Sequence, residues 1–147
     1  MKLLIGSDHN GFALKEQIKA YLDERRFEVR DLGCHSETPA DYPDIAFEAA
    51  DLISAGEYAR GILVCGTGNG MAISANKVAG VRAALCHDPV SAERARKSND
   101  AQILTMGAWI IGWAEAKRVI DIWLEAEFAG GESARKVGKI EERDRAR

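Results

Sequence analysis

The chain has no paired cysteines, no long apolar run and no excess of basic charge. Cys34, Cys65 and Cys86 are odd in number and widely spaced, with no C-x-x-C pair. That argues against a zinc site or a disulfide framework and for a reducing cytoplasm. His9, His35 and His87 are equally scattered, so no metal cluster is expected. No apolar stretch approaches the ~18 residues of a membrane span. The opening MKLLIGSDHNG has too few apolar residues for a signal peptide. A net charge of −3 gives no footprint for nucleic acid. Internal repeats and low-complexity segments are missing too. What remains is a chain of 147 residues, the size of one soluble domain with a real core.

What is present concentrates in residues 61–77, GILVCGTGNGMAISANK. Ile62, Leu63 and Val64 suit a buried strand that ends at Cys65. Gly66, Thr67, Gly68, Asn69 and Gly70 follow, and a helix is expected over about 70–77. Strand, glycine loop and helix together aim backbone N–H groups at one spot, which suits an anion. A thiol stands at its edge. The loop is not a Walker A sequence, since no lysine follows the glycines. It is not a dinucleotide fingerprint either, because its third glycine comes one residue early. Asp88 lies about where a ribose-binding acid would, ~20 residues on, a single spacing match. The plain alternative is a tight turn after a core strand, with Cys65 as a packing residue.

Strand-like and helix-like patterns alternate along the chain. Strands are expected at 2–6, 27–32, 61–65, 81–86 and 102–106, the second of them an edge. Leu14, Ile18, Tyr21 and Leu22 mark the first helix. Ile45, Ala49, Leu52 and Ile53 mark the second. Ala116, Val119, Ile120, Trp123 and Leu124 mark the helix after the fifth strand. Pro89 behind Asp88 starts another. Residues 132–147 are heavily charged and read as a solvated helix or tail. Five βα units predict an α/β fold: a single-domain, doubly wound, Rossmann-like parallel sheet of five strands, order 2-1-3-4-5, with helices on both faces. Ligands of such sheets bind at the carboxyl ends of the strands where strand order reverses, here between the first and third. The loops leaving those two strands are 7–11 and 65–70, the two most chemically loaded segments. Taken singly, Asp8-His9 could be a helix cap, Asp41-Tyr42-Pro43 a turn, and Asn99-Asp100 a loop.

Taken together, DHNG, DYP, CGTGNGM, ISANK, VRAALC, SAERARKSND and FAGG resemble the ribose-5-phosphate isomerase B and galactose-6-phosphate isomerase family, from Met1 to about Lys136. The resemblance implies the doubly wound sheet, a homodimer or tetramer with active sites at the subunit interface, and hydrogen transfer between C1 and C2 of a sugar without metal or other cofactor. It makes Cys65 the base. In another branch a glutamate at the position of Met71 takes that task. Loop dipoles favour the Cys65 thiolate, the backbone of Gly66, Gly68, Asn69 and Gly70 holds the enediolate oxygen, and Thr67 relays a proton. Asp8, His9, Tyr42 and Asn99 line the sugar site, with Lys136 toward the phosphate. The departures bear on substrate. Ser98 stands where the family has a ring-opening histidine, and Trp109, Glu132 and Lys136 stand where it has arginines. The expected function is an aldose–ketose isomerase acting on ribose 5-phosphate or on another acyclic or unphosphorylated sugar. A sugar-binding subunit without turnover and a nucleotide-binding module are the rivals.

Overall fold

Three strands, buried except for Lys2 at the start of the first, form the centre of the sheet. In the computed structural model, which describes all 147 residues, these are β1 (Lys2–Ser7), β3 (Arg60–Cys65) and β5 (Ile103–Gly107). Their near-continuous apolar sequences are what a parallel strand covered on both faces requires. β2 (Glu28–Asp31) alternates exposed and half-buried residues, and β4 (Ala83–Leu85) is three residues long. Both are edges, and short or polar strands suit edges. All pairs are parallel, in the order β2-β1-β3-β5-β4.

The five-stranded parallel sheet is therefore as expected, with one correction. The last two strands exchange places, so β5 rather than β4 lies beside β3. The reason is burial: Ile103, Leu104 and Met106 are fully enclosed, whereas β4 keeps Leu85 partly in solvent. The reversal of strand order still falls between β1 and β3.

Alternate residues of each strand feed two cores. Leu3, Ile5, Ile62 and Val64 pack under α1 (Phe12–Glu24), α4 (Pro89–Lys97) and α5 (Trp113–Glu125). Leu4, Leu63 and Cys65 pack under α2 (Tyr42–Ser54) and α3 (Asn69–Ala75). The five apolar residues expected along α5 are all buried. In α2 the buried face is Ala46, Ala49, Ala50 and Ile53 instead, one residue round from the expected stripe. Asp88 caps α4, its carboxylate accepting the Ser91 N–H at 2.8 Å.

The charged segment at the end is a helix, α6 (Glu132–Ala146), with Val137 buried. It lies across the N-terminal edge of the sheet. Asp144 accepts the Gly80 N–H at 2.9 Å, and Glu141 pairs with Arg82 at 3.5 Å, just ahead of β4.

Candidate active site

Every group at the carboxyl ends of β1 and β3 is set by a short local device. After β1, the buried Asp8 turns the chain into α1 by accepting the Gly11 N–H at 3.0 Å. His9 accepts the Ala40 N–H on Nδ1 at 3.1 Å, which ties this turn to the segment before α2. Tyr42 opens α2, with Pro43 in its first turn. Its ring lies so close to Gly70 that a Cβ there would overlap it.

The Cys65 loop is held from below. Gly68 has φ +83°, a conformation glycine adopts without strain, and a Cβ on it would meet the Met106 backbone at 2.8 Å. Gly107, in register with Cys65, packs against the backbone of Thr67, where a Cβ would come to 2.5 Å. The Gly68 N–H donates to Cys65 Sγ at 3.1 Å, and the Asn69 N–H to Thr67 Oγ1 at 3.2 Å. The N–H groups of Gly66, Thr67, Gly70 and Met71 have no acceptor in the chain. A sulfur with a donor aimed at it thus sits beside four unpaired donors, the arrangement that stabilises negative charge on a bound oxygen.

These groups meet in one crevice. A cleft of about 220 Å³ is lined by Asp8, Asn10, Tyr42, Cys65, Thr67 and Trp109, among others. A second, of about 460 Å³, shares Asp8, Asn10 and Tyr42 with it and adds His9 and residues 40–44. The indole ring of Trp109 lies against Gly66, so that a Cβ there would overlap it; the backbone N–H of Trp109 donates to the Gly66 carbonyl at 2.9 Å, and 69% of the residue is exposed.

Two expected residues are elsewhere. The Asn99 carbonyl accepts Arg82 Nε–H at 3.1 Å, beside the starts of β4 and β5. Lys136 belongs to α6 on that same edge. The length of β5, roughly 15 Å at ~3.3 Å per residue, separates this edge from Cys65. Within one chain, Asn99 and Lys136 do not join the crevice. Ser98 ends α4 just ahead of Asn99, and Glu132 opens α6; neither lines a cleft with Cys65.

Two residues were not foreseen. Asn10 lines both clefts, and its place within the DHNG turn was the available signal. His87 accepts the Gly107 N–H on Nε2 at 2.8 Å. No spacing in the sequence announces that contact, because it joins the ends of two neighbouring strands.

Comparison with known proteins agrees with this geometry. A family profile described as Ribose/Galactose Isomerase matches residues 3–140. A ribose-5-P isomerase B of Listeria innocua is 49% identical, over 98% of this chain and 97% of its own. A D-erythrulose-4-phosphate isomerase of Pectobacterium atrosepticum is 50% identical, over 95% and 93%. The solved ribose-5-phosphate isomerase B of Clostridium thermocellum superposes with a TM-score of 0.97 at 46% identity, covering 99% of both chains. With the sheet, the glycine loop and the sequence match agreeing along nearly all its length, the chain belongs to the ribose/galactose isomerase family.

Proposed function

We propose that the protein is an aldose–ketose isomerase of the ribose-5-phosphate isomerase B type, working through an enediolate. The observation that carries this is Cys65 Sγ at the wall of a cleft beside the four unpaired N–H groups of its loop. The Cys65 thiolate takes the proton from C2 of the open-chain aldose. The electron pair moves into a C1–C2 double bond, and charge gathers on the carbonyl oxygen, where the donors of Gly66, Thr67 and Gly70, which line the cleft, meet it. Thr67 passes a proton between the two oxygens, and the Cys65 thiol returns its proton to C1. Met71, fully buried, offers a thioether and cannot replace the thiol as base. Asp8, His9, Asn10, Tyr42 and Asn69 address the sugar hydroxyls. Incorporation of solvent deuterium into ribose 5-phosphate and a panel of other sugars tests the proposal. Exchange into none of them overturns it, and exhaustive chelation should leave the rate unchanged.

Substrate choice has a second reading, a short or open-chain sugar. Trp109 places an apolar wall in the cleft where a guanidinium would grip a phosphate bidentately, and Ser98 cannot titrate to open a ring. The D-erythrulose-4-phosphate isomerase among its relatives fits the same direction. A comparison of kcat/KM decides. Ribose 5-phosphate as best substrate, near ~10⁴ M⁻¹s⁻¹ or above, removes the second reading.

The site also calls for a second copy of the chain. Asn99 and Lys136 reach a crevice only if a partner's N-terminal edge faces it. Ile73, Val90, Trp109 and Ile110 are each at least 60% exposed, apolar surface that a partner would cover.

A further inference from the structure

His87 lies at the carboxyl end of β4, half-buried, outside the set that addresses the sugar. Its Nε2 accepts the Gly107 N–H at 2.8 Å, so that nitrogen carries no proton and the ring is neutral. Gly107 is the hub on which the catalytic loop rests. It is paired in register with Cys65, and its α-carbon packs against the Thr67 backbone. Its carbonyl accepts the N–H groups of Ile110 and Ile111 at 3.0 Å, closing the turn that carries Trp109. Resting on the isomerase reading of the Cys65 site, we propose that His87 is a positioning residue: its neutral imidazole fixes Gly107 beneath the Cys65–Thr67 loop, and protonation of the ring releases it.

The physical step is the loss of a lone pair. An imidazolium has two N–H donors and no acceptor, so Nε2–H would face the Gly107 N–H, two positive hydrogens across one contact. Gly107 must then move, and Thr67 rests directly on it. The groups that bear on the ring are few. Asp88, next in the chain, favours the charged form. Cys86 below is a thiol that burial, and then Asp88, pushes up to about 12, so it stays protonated. Cys65 lies across Gly107 in register. Thr105, Met106 and Thr67 carry no charge. Burial outweighs Asp88 and holds His87 below the ordinary histidine range, which keeps Gly107 anchored at neutral pH.

The test pairs His87→Gln, whose amide oxygen can accept the same N–H without titrating, with His87→Leu, which cannot. Profiles of kcat/KM against pH are recorded on the substrate found above. Deprotonation of the thiol alone gives an acid limb of slope one. A second required deprotonation gives wild type a limb that steepens toward slope two below the ordinary histidine range of ~6.5, and H87Q should return it to one. H87L should lose about tenfold in kcat at neutral pH, with KM changed less than threefold. In parallel, ¹⁵N–¹H spectra of wild type follow the Gly107 amide, which should shift with the same midpoint as the His87 ring and lose that titration in H87Q. If H87L does not fold, H87Q and the wild-type spectra still decide. A Gly107 amide that ignores the His87 titration, or identical limbs in wild type and H87Q, overturns the proposal. A wild type without turnover on any sugar overturns the isomerase reading instead, and the Gly107 titration then judges the positioning role by itself.

Discussion

Cys65 and Cys86 are both buried thiols at strand ends, and their surroundings give them opposite uses. Cys65 receives the Gly68 N–H and opens onto a cleft. Cys86 finds only the Ala84 carbonyl at 3.8 Å, in the apolar core under α4 and α5. Cys65→Ala should therefore keep the fold and lower turnover by ~10²-fold or more, read from initial rates alongside circular dichroism. Retention of most activity would remove Cys65 as the base. With its thiol pushed up to about 12, Cys86 should resist iodoacetamide in the native protein at pH 8. Half-exposed Cys34 should react, as peptide mass spectrometry will show. Alkylation of Cys86 as fast as Cys34 would mean that the α4–α5 core opens readily. At this scale much of the site was legible. Cys65, Thr67, Asp8 and Tyr42 each sit just past a strand or at a helix start, where a doubly wound sheet gathers its ligands. His87 was not, since its partner is a backbone N–H 20 residues away in sequence.

The elements hold this gathering of side chains through one ionic clamp. Lys15 of α1, with no exposed surface, donates to both carboxylate oxygens of Asp31 at 2.8 Å and to the Cys34 carbonyl. Asp31 also accepts the Gly33 N–H at 2.8 Å and Lys19 Nζ–H at 2.8 Å. The Gly33 carbonyl and Cys34 N–H in turn grip Ser7, one residue before Asp8. Burial alone would raise the Asp31 carboxyl; the hydrogen bonds from Lys15, Lys19 and Gly33 outweigh it and hold the carboxyl below its usual range. A carboxyl lowered on folding contributes stability that is present above its unfolded value of ~3.9 and is lost as pH falls through the folded value. Asp31→Asn should destabilise the protein at pH 7 by ~3 kcal/mol, because it strands a buried ammonium. The gap from wild type should narrow below about pH 4. Urea midpoints at pH 7 and pH 3 check this, and a gap that stays constant or grows on acidification contradicts it. Element existence was legible from apolar periodicity. The order of β4 and β5 was not, because VRAALC reads as six strand residues while three pair. Burial of each strand by its neighbours, rather than its own pattern, decides which one is central.

For the whole molecule, the decisive fact is that the sheet has two chemical ends. One holds Cys65 and the unpaired N–H groups. The other holds Asn99 and Lys136, and it is built with care: Arg82 donates to the carbonyls of Asn99 and Asp100 at 3.1 and 3.2 Å, and Arg96 pairs with Asp100 at 3.0 Å. Family resemblance put Cys65, Asn99 and Lys136 in one site. The resemblance also implied a site at a subunit interface, but spacing along one chain carries no information about symmetry and does not say which residues a partner would bring. A two-fold dimer reconciles the two ends, because its contacts are reciprocal: if one chain's Asn99 edge faces the partner's crevice, the partner's edge faces its own. Complementation follows from that geometry. Cys65→Ala and Asn99→Ala should each be nearly inactive as pure proteins. In the mixed dimer one crevice combines an intact Cys65 with an intact partner Asn99, and the other has neither. Mixing equal amounts under conditions that exchange subunits gives half mixed dimers, so activity should recover to about a quarter of the wild-type value per chain. No recovery, with subunit exchange confirmed by mass spectrometry, would mean that each crevice works with the residues of its own chain, and Asn99 would then have no part in binding the sugar.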